Sequence, residues 1–447
     1  MLRVPDKWDI EVEVLVIGTG YAGLTSAIEA HDAGSSTLIL EKRSILGGNS
    51  IRSGGGANAV DPNRQLSQNI EDSLDLHYEQ TFRGGASLGN PEKIRFLVDN
   101  ALNMCVNWLE SLGVEWPLSV VRGYGALWER THVPARYKEY SQGAAIFHAL
   151  MDAVKDRRIQ VCPEHNVSKI IREKVLEGKV AGVKVDVKGR TLNVEASKAI
   201  ILASGGFGAD LEMVRDHDLR LKDTPTTCHA GSTGDCLRMA QDIGADTVGM
   251  DHIQCVPTIA RPPFKGHFFV ISCGETRKKG TPYQIFINRE GNRFVREDGP
   301  RNDITFAALT QTSFDPLPRI TVNSFRELEI QLGISEGNLI RTLEKYNLYC
   351  ERKCDTDFNR HPRTLFPCKT PPFRVQTLTP GRHHTMGGLK VQGTTGRVMD
   401  RWGHIIPHFY AAGEITGGIH GANRLGFNAI PECIIFGRTA GKLAAQE

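Results

Sequence analysis

The apolar and polar positions fall into segments of distinct period. Val12 to Ile17 is a near-continuous apolar run, as expected of a parallel strand buried on both faces. Leu24, Ala27, Ile28 and His31 recur at helical spacing, Gly34 ends that helix, and Thr37 to Leu40 is a second short apolar run. Amphipathic helices are predicted over 92–112 and from Gln142 to Val154, and a hairpin from Val167 to Val185 with Gly178 at its turn. Ala199 to Ala203 reads as another buried strand, expected to return to the first sheet. A helix opens at Thr233-Gly234-Asp235 and continues through Leu237, Ala240 and Ile243. Beyond about Met250 prolines are frequent and strands short, with one clear helix from Glu336 to Glu351. From Pro371 the strand and glycine-loop character returns. Phe409 to Ala412 is a last strand, and Asn428-Ala429-Ile430-Pro431 opens a last helix with Asn428 as N-cap.

The order strand, helix, strand, then an inserted segment, then a return, predicts an α/β protein. Its core is a Rossmann-like dinucleotide domain, a parallel sheet with helices and a β-hairpin insertion, carrying an inserted α+β cap. The expected boundaries are 1–249 and 367–447 for the two parts of the dinucleotide domain and 250–366 for the cap. At 447 residues the chain exceeds one ordinary core, which agrees with this division.

Composition narrows the partners. A net charge of +3 gives no reason to expect nucleic acid or a membrane surface. No apolar stretch approaches the roughly 20 residues of a membrane span, and the opening residues do not read as a secretory signal. Ten cysteines without a framework read as reduced thiols in a cytoplasmic setting, with no metal site expected. The 46 glycines, in contrast, fall in clusters, which points to backbone packed against a ligand.

The first cluster is Gly18-Thr19-Gly20-Tyr21-Ala22-Gly23, directly after a strand and opening a helix, with Glu41 about 20 residues on. Gly18 and Gly20 allow a tight turn and close approach of a pyrophosphate, Gly23 lets helix and strand pack, and Glu41 can bond a ribose. The second cluster, Gly47-Gly48-Asn49-Ser50 and Ser53-Gly54-Gly55-Gly56, follows so closely that it suits a larger cofactor with a second ring system. FAD is therefore favoured over NAD. In the tail, Gly413-Glu414 ends a strand, and a glycine-rich loop carries His420, Asn423 and Arg424 toward the start of the last helix, an arrangement suited to an anion.

With these residues in view, the chain resembles the fumarate reductase and succinate dehydrogenase flavoprotein family, in its soluble flavocytochrome c fumarate reductase-like branch. The markers are Gly18 to Gly23 with Glu41, Ser53 to Gly56, Ser204 to Phe207, Thr233 to Asp235, Asn288 to Phe294 with Arg301, His383 to Gly388, and Gly413 to Ile430. The resemblance implies an FAD-dependent oxidoreductase that adds hydride and a proton across the C=C of an α,β-unsaturated carboxylate. It implies that His383 and Arg424 bind the substrate carboxylate and that Arg301 donates the proton, with Glu275 and Arg277 or Lys278 as a relay. Thr276 and Phe268 are further expected substrate contacts. Expected cofactor contacts are Gly18, Gly20, Gly23, Glu41, Lys42, Asn49, Ser50, Ser53, Gly54, Gly55, Gly56, Val167, Gly205, Gly206, Asp235, Gly413, Glu414, Asn428, Ala429 and Ile430.

Two departures refine this. Where fumarate-reducing members have His-Pro-Thr, this chain has Val256-Pro257-Thr258, so a second carboxylate has no donor there and the substrate is expected not to be fumarate. Where the family's membrane-complex members attach FAD to a histidine shortly before the Ser53–Gly56 loop, the chain has Gly48-Asn49-Ser50 and no histidine, so FAD is expected to be non-covalent. No haem or iron–sulfur ligand set is present, so a separate electron donor is expected: a cytochrome, reduced flavin or another redox protein. The competing reading is a dehydrogenase that desaturates an acid or ketosteroid-like substrate.

Overall fold

A computed structural model describes residues 4–123, 126–260, 265–274, 276 and 283–447. Its larger sheet has the order Arg397–Met399, Ile405–Ala411, Arg190–Leu202, Ile10–Ile17, Thr37–Leu40, Gln160–Cys162. The five strands from Ile405–Ala411 to Gln160–Cys162 run parallel. The hairpin Asn166–Lys174 and Glu177–Val187 joins through its second strand, antiparallel to Arg190–Leu202. Its turn falls at Val175-Leu176, with Leu176 in the left-handed region at φ 63°, just ahead of the expected Gly178.

The apolar run of the first strand is explained by its two neighbours. Val14 and Val16 join the core under the helices Tyr21–Asp32, Gln142–Asp156 and Ala429–Ala444. Leu15 and Ile17 join the opposite core, with the hairpin and the helix Asp235–Asp242. A strand covered on both faces cannot alternate. The first and last helices lie close because small residues meet: the Ser26 hydroxyl donates to Gly437 O at 2.9 Å. A Cβ added at Gly437 would sit 2.2 Å from the Thr25 hydroxyl, and one at Gly441 2.2 Å from Ser26 O.

A second sheet is built around one long strand, Phe373–Thr385. It pairs antiparallel with Ile253–Ile259, Phe268–Ser272 and Ile320–Val322, and Phe268–Ser272 pairs in turn with Ile285–Ile287. The strand Phe373–Thr385, expected with the returning dinucleotide part, is thus the centre of this second sheet. Its last residue, Thr385, donates through its N–H to Glu414 at 3.0 Å. The helices Phe325–Leu332 and Asn338–Arg352 cover this sheet through Leu328, Leu339, Leu343 and Tyr346.

Beside that core sits a buried ionic cluster. Arg293 donates to Glu297 at 2.9 and 2.8 Å and to Asp355 at 2.8 Å, and Arg360 lies 3.2 Å from Glu297. Burial alone would raise the Glu297 pKa, and the two guanidinium groups reverse this and hold it below the usual carboxylate value. Removing one member of a buried cluster costs about 3–5 kcal/mol, since the remaining charges stay in low dielectric. Glu297→Ala is therefore expected to lower the urea midpoint sharply, by about that free energy, whereas a loss under about 1 kcal/mol would show the cluster to be better hydrated than its burial implies.

Candidate active site

The first glycine cluster forms the floor of a cleft of about 930 Å³. Gly18, Gly20, Glu41, Lys42, Asn49, Ser50, Val167, Gly205, Asp235, Gly413 and Glu414 all line it. Gly18 is required by the fold: its φ is +109°, and a Cβ there would lie 2.4 Å from Ala203 O on the neighbouring strand. Glu41 is held at the end of its strand by the Thr19 N–H (3.2 Å) and hydroxyl (2.7 Å). Lys42 Nζ donates to Asp235 at 2.6 Å and to the Thr233 hydroxyl at 2.7 Å, closing one wall. Asn49 reaches across to His229, whose N–H donates to its side-chain oxygen at 2.6 Å.

The other expected contacts lie outside that lining. Gly23 packs helix on strand, where a Cβ would meet Gly18 O at 1.9 Å. Ser53 lies 3.1 Å from the Tyr21 hydroxyl, and Gly55 is packed against Gln142 and Gly143. Gly54 and Gly56 face the ring of Phe427, and Gly206 abuts Thr385 and Glu414. Asn428 precedes the last helix but makes no side-chain capping bond. Its side chain is taken instead by Asn58 (2.7 Å), Thr81 (3.0 Å) and His77 (3.2 Å), and Ala429 and Ile430 begin the helix beyond it.

At the far end of the long strand the pairing slips. Gln254 is opposite His384 and Cys255 opposite Arg382, so His383 is the extra residue of a β-bulge. The bulge turns His383 out of the ladder. Its Nδ1 lies 2.7 Å from the Thr227 hydroxyl, which leaves Nε2 for a ligand. Burial, with Arg301 and Arg424 adding to it, holds the His383 pKa well below the usual histidine value. The imidazole is therefore neutral at neutral pH, and both guanidinium groups are close enough to act on it.

Arg424 is buried, and its Nε has no hydrogen-bond partner among the described residues. The loop around it is fixed by Gln254, which donates to Asn423 Oδ1 (3.0 Å) and Arg424 O (2.9 Å). Arg301 is the first residue of the helix Arg301–Leu309. The next residue, Asn302, donates to Ala422 O at 2.8 Å, which ties that helix to the Arg424 loop.

Two sequence expectations fall elsewhere, and a third cannot be placed. Phe268 is fully buried against Phe286 and Phe294, at 5.2 and 5.6 Å, so it packs and has no free face for a substrate. The Thr276 hydroxyl accepts from Cys273 N at 2.9 Å and is buried. Glu275, with Arg277 and Lys278, lies outside the described residues. Sequence reasoning did not find Thr227, Gln254 or Asn302, which are ordinary polar residues brought in by strand pairing. It also missed the buried group behind Arg424, in which His420 Nε2 lies 2.7 Å from Glu432 and His384 Nδ1 lies 3.5 Å from Glu414. His384, His420 and Glu432 could offer ligand atoms to a cation within 4.8 Å of one another. The His420 and Glu432 atoms already bond each other, and burial, with the positive charge of Arg424 adding to it, holds the His384 pKa well below the usual histidine value.

Residues 13–430 match the family model described as FAD binding domain. The chain belongs to that family. The flavoprotein is 34% identical over 455 residues to the NADH:fumarate oxidoreductase of Klebsiella pneumoniae (strain 342), which covers 97% of this chain and 48% of that protein. It is 34% identical over 458 residues to a fumarate reductase (cytochrome) of Shewanella frigidimarina, covering 97% of this chain and 77% of that one. Among solved structures it is similar to the open conformation of a flavocytochrome c3 fumarate reductase, with TM-score 0.76, 30% identity and coverage of 98% and 79%. The chain thus spans about half the length of the Klebsiella relative.

FAD is the cofactor of this flavoprotein, and the cleft fits it. The floor at Gly18 admits no Cβ, Glu41 stands at the end of the second strand, and the helix Tyr21–Asp32 presents its N-terminus. Among the described residues no helix is long and apolar enough to cross a membrane.

Burial raises the Glu414 pKa from 4.5 to about 7, against the opposing pull of Thr385 and Arg424. A raised folded-state value favours the protonated form, so this group's contribution to stability is complete below pH 4.5 and is lost as pH rises through 7. The apoprotein is expected to lose about 3 kcal/mol from this group across that window. Urea unfolding at pH 5 and pH 8 checks this, with a flatter profile expected for Glu414→Gln. An identical slope in the two proteins would show Glu414 to be ionised throughout.

Proposed function

We propose that the flavoprotein reduces the C=C bond of an α,β-unsaturated carboxylate other than fumarate. The single observation that carries this reading is the meeting of three elements, the His383 bulge, the Arg424 loop to which Gln254 is bonded, and the Arg301 helix tied to that loop through Asn302. Both compared relatives are named as fumarate-reducing enzymes, which favours reduction over the dehydrogenase reading.

Bound FAD supplies the reducing equivalent in this reaction. Arg424 takes the substrate carboxylate through its planar fork, for which its buried Nε is already desolvated. His383, held through Nδ1 by Thr227, adds a hydrogen bond from or to Nε2 without adding a charge. The two guanidinium groups lower the energy of negative charge developing next to the carboxylate, and in a site shielded from water such groups need no reorganisation. Arg301 donates the proton to the carbon beside the carboxylate. Because the guanidinium pKa lies above about 12, it must be reprotonated at once, and Glu275 is the proposed relay.

The cap expected at 250–366, with the long strand Phe373–Thr385, is assigned the task of closing over the substrate. The electron donor is a separate component: a cytochrome, reduced flavin or other redox protein. Nine of the ten cysteines are not exposed, and no disulfide forms among the described residues, which fits a reducing, cytoplasmic setting.

The test is oxidation of reduced methyl viologen by the holoenzyme with acrylate, fumarate and cinnamate. Turnover with a mono-carboxylic enoate above fumarate is expected. Arg301→Lys is expected to lower kcat at least about 100-fold with little change in substrate affinity, because it removes a positioned acid. Arg424→Met is expected to raise KM instead, through loss of the carboxylate fork. Wild-type rates in Arg301→Lys would defeat the assignment.

A further inference from the structure

Phe427 has a left-handed backbone, φ +68°, three residues beyond Arg424. Glycine adopts this region freely, whereas a bulky side chain there is a genuine outlier. Such outliers persist only where the surroundings fix them, and they cluster at ligand sites. Here one residue does the fixing. The Asn58 side chain donates to Gly426 O and Asn428 Oδ1, both at 2.7 Å, and its backbone N–H donates to Phe427 O at 3.3 Å.

The ring does not enter any of the apolar cores. It lies in a slot whose walls are glycines. A Cβ built on Gly56 would sit 2.3 Å from one ring edge, one on Gly123 3.0 Å from the other edge, and one on Gly54 3.6 Å from the ring. Side chains at Gly56 and Gly123 would therefore collide with it. The ring is nonetheless only partly buried, so one part of it remains open. Three residues of chain span at most about 11 Å, which keeps Phe427 within a small molecule's length of the Arg424 clamp.

A second apolar group faces the same region. Gln254 points its side chain to the Arg424 loop, and Val256, two residues along the same strand, lies on the same face and is partly exposed. Near the Arg424 loop the chain thus offers an aromatic ring and a valine in addition to its two arginines.

We infer that Phe427 is a specificity-determining residue whose ring receives the far end of the substrate, selecting enoates with a flat apolar or aryl substituent over small or dicarboxylic ones. Offset or edge-on packing of two rings is the interaction that makes the choice. The inference deepens the reading of this site as an enoate pocket and rests on it.

Two measurements on the holoenzyme test it. One is the ratio of kcat/KM for cinnamate to that for acrylate, with reduced viologen as donor. The other needs no turnover: the dissociation constants of cinnamate and acrylate, read from the perturbation of the oxidised FAD absorbance. Phe427→Gly suits the left-handed backbone and is expected to fold with FAD content equal to wild type. Its kinetic ratio is expected to fall at least tenfold, and cinnamate binding at least tenfold relative to acrylate. Phe427→Leu, which keeps bulk but not a flat ring, is expected to fall between the two. If wild type binds cinnamate through Phe427 but reduces no enoate, the specificity assignment stands and the reductase reading falls. Ratios within twofold of wild type in both variants overturn the inference, as does loss of FAD with the binding ratio unchanged.

Discussion

The constraint on which the site depends is a buried positive charge kept without a carboxylate of its own. Arg424 sits in the interior, and among the described residues no acidic group forms an ion pair with it. The nearby acids are engaged elsewhere: Glu432 with His420, and Glu414 with the Thr385 N–H, its carboxyl pushed toward the protonated form by burial. Burial also draws the Arg424 pKa down. The protein therefore stores an unmet demand for an anion, and the neutral His383 beside it avoids adding a third charge that would drive the site apart. Under the function proposed above, a substrate carboxylate answers that demand.

That arrangement needs parts from three distant places in the chain, and the long strand Phe373–Thr385 is what brings them together. Its body is the centre of the second sheet, and its final residues lie between the cofactor cleft and the Arg424 loop. The bulge at His383 is the point where it changes allegiance, releasing one side chain from the ladder while Gln254 on the partner strand pins the loop opposite. The helix that starts at Arg301 is stitched to the same loop through Asn302.

Much of this was legible in the order of residues because local rules act over short distances. The first strand, its glycine turn, the helix and Glu41 announce themselves through a continuous apolar run followed by residues only a tight turn needs. Arg301, His383 and Arg424 stand in recognisable motifs, and in the structure the charges of both arginines reach the His383 ring. What was not legible depends on pairing register and on packing at long range. Nothing near Phe373 says that its strand joins the second sheet, since an antiparallel partner 100 residues away decides that. Phe268 was expected at the substrate because it stands in the cap near the site in sequence, whereas strand alternation and Phe286 put it in the core. Asn428 reads as a helix cap by type and position, but a ready set of partners in Asn58, Thr81 and His77 takes its side chain instead.

The contact between the first and last helices has a consequence for how the molecule comes into being. Thr25 and Ser26 press against Gly437 and Gly441, more than 400 positions away in the chain, and the strand Ile405–Ala411 completes the parallel sheet only from the same end. During synthesis, at about 5–20 residues per second, the face of the first helix that meets Gly437 and Gly441 has no mate until some 400 further residues have been made. That face must therefore wait uncovered for tens of seconds, while the second sheet and its helices, which come from one contiguous stretch, can settle first.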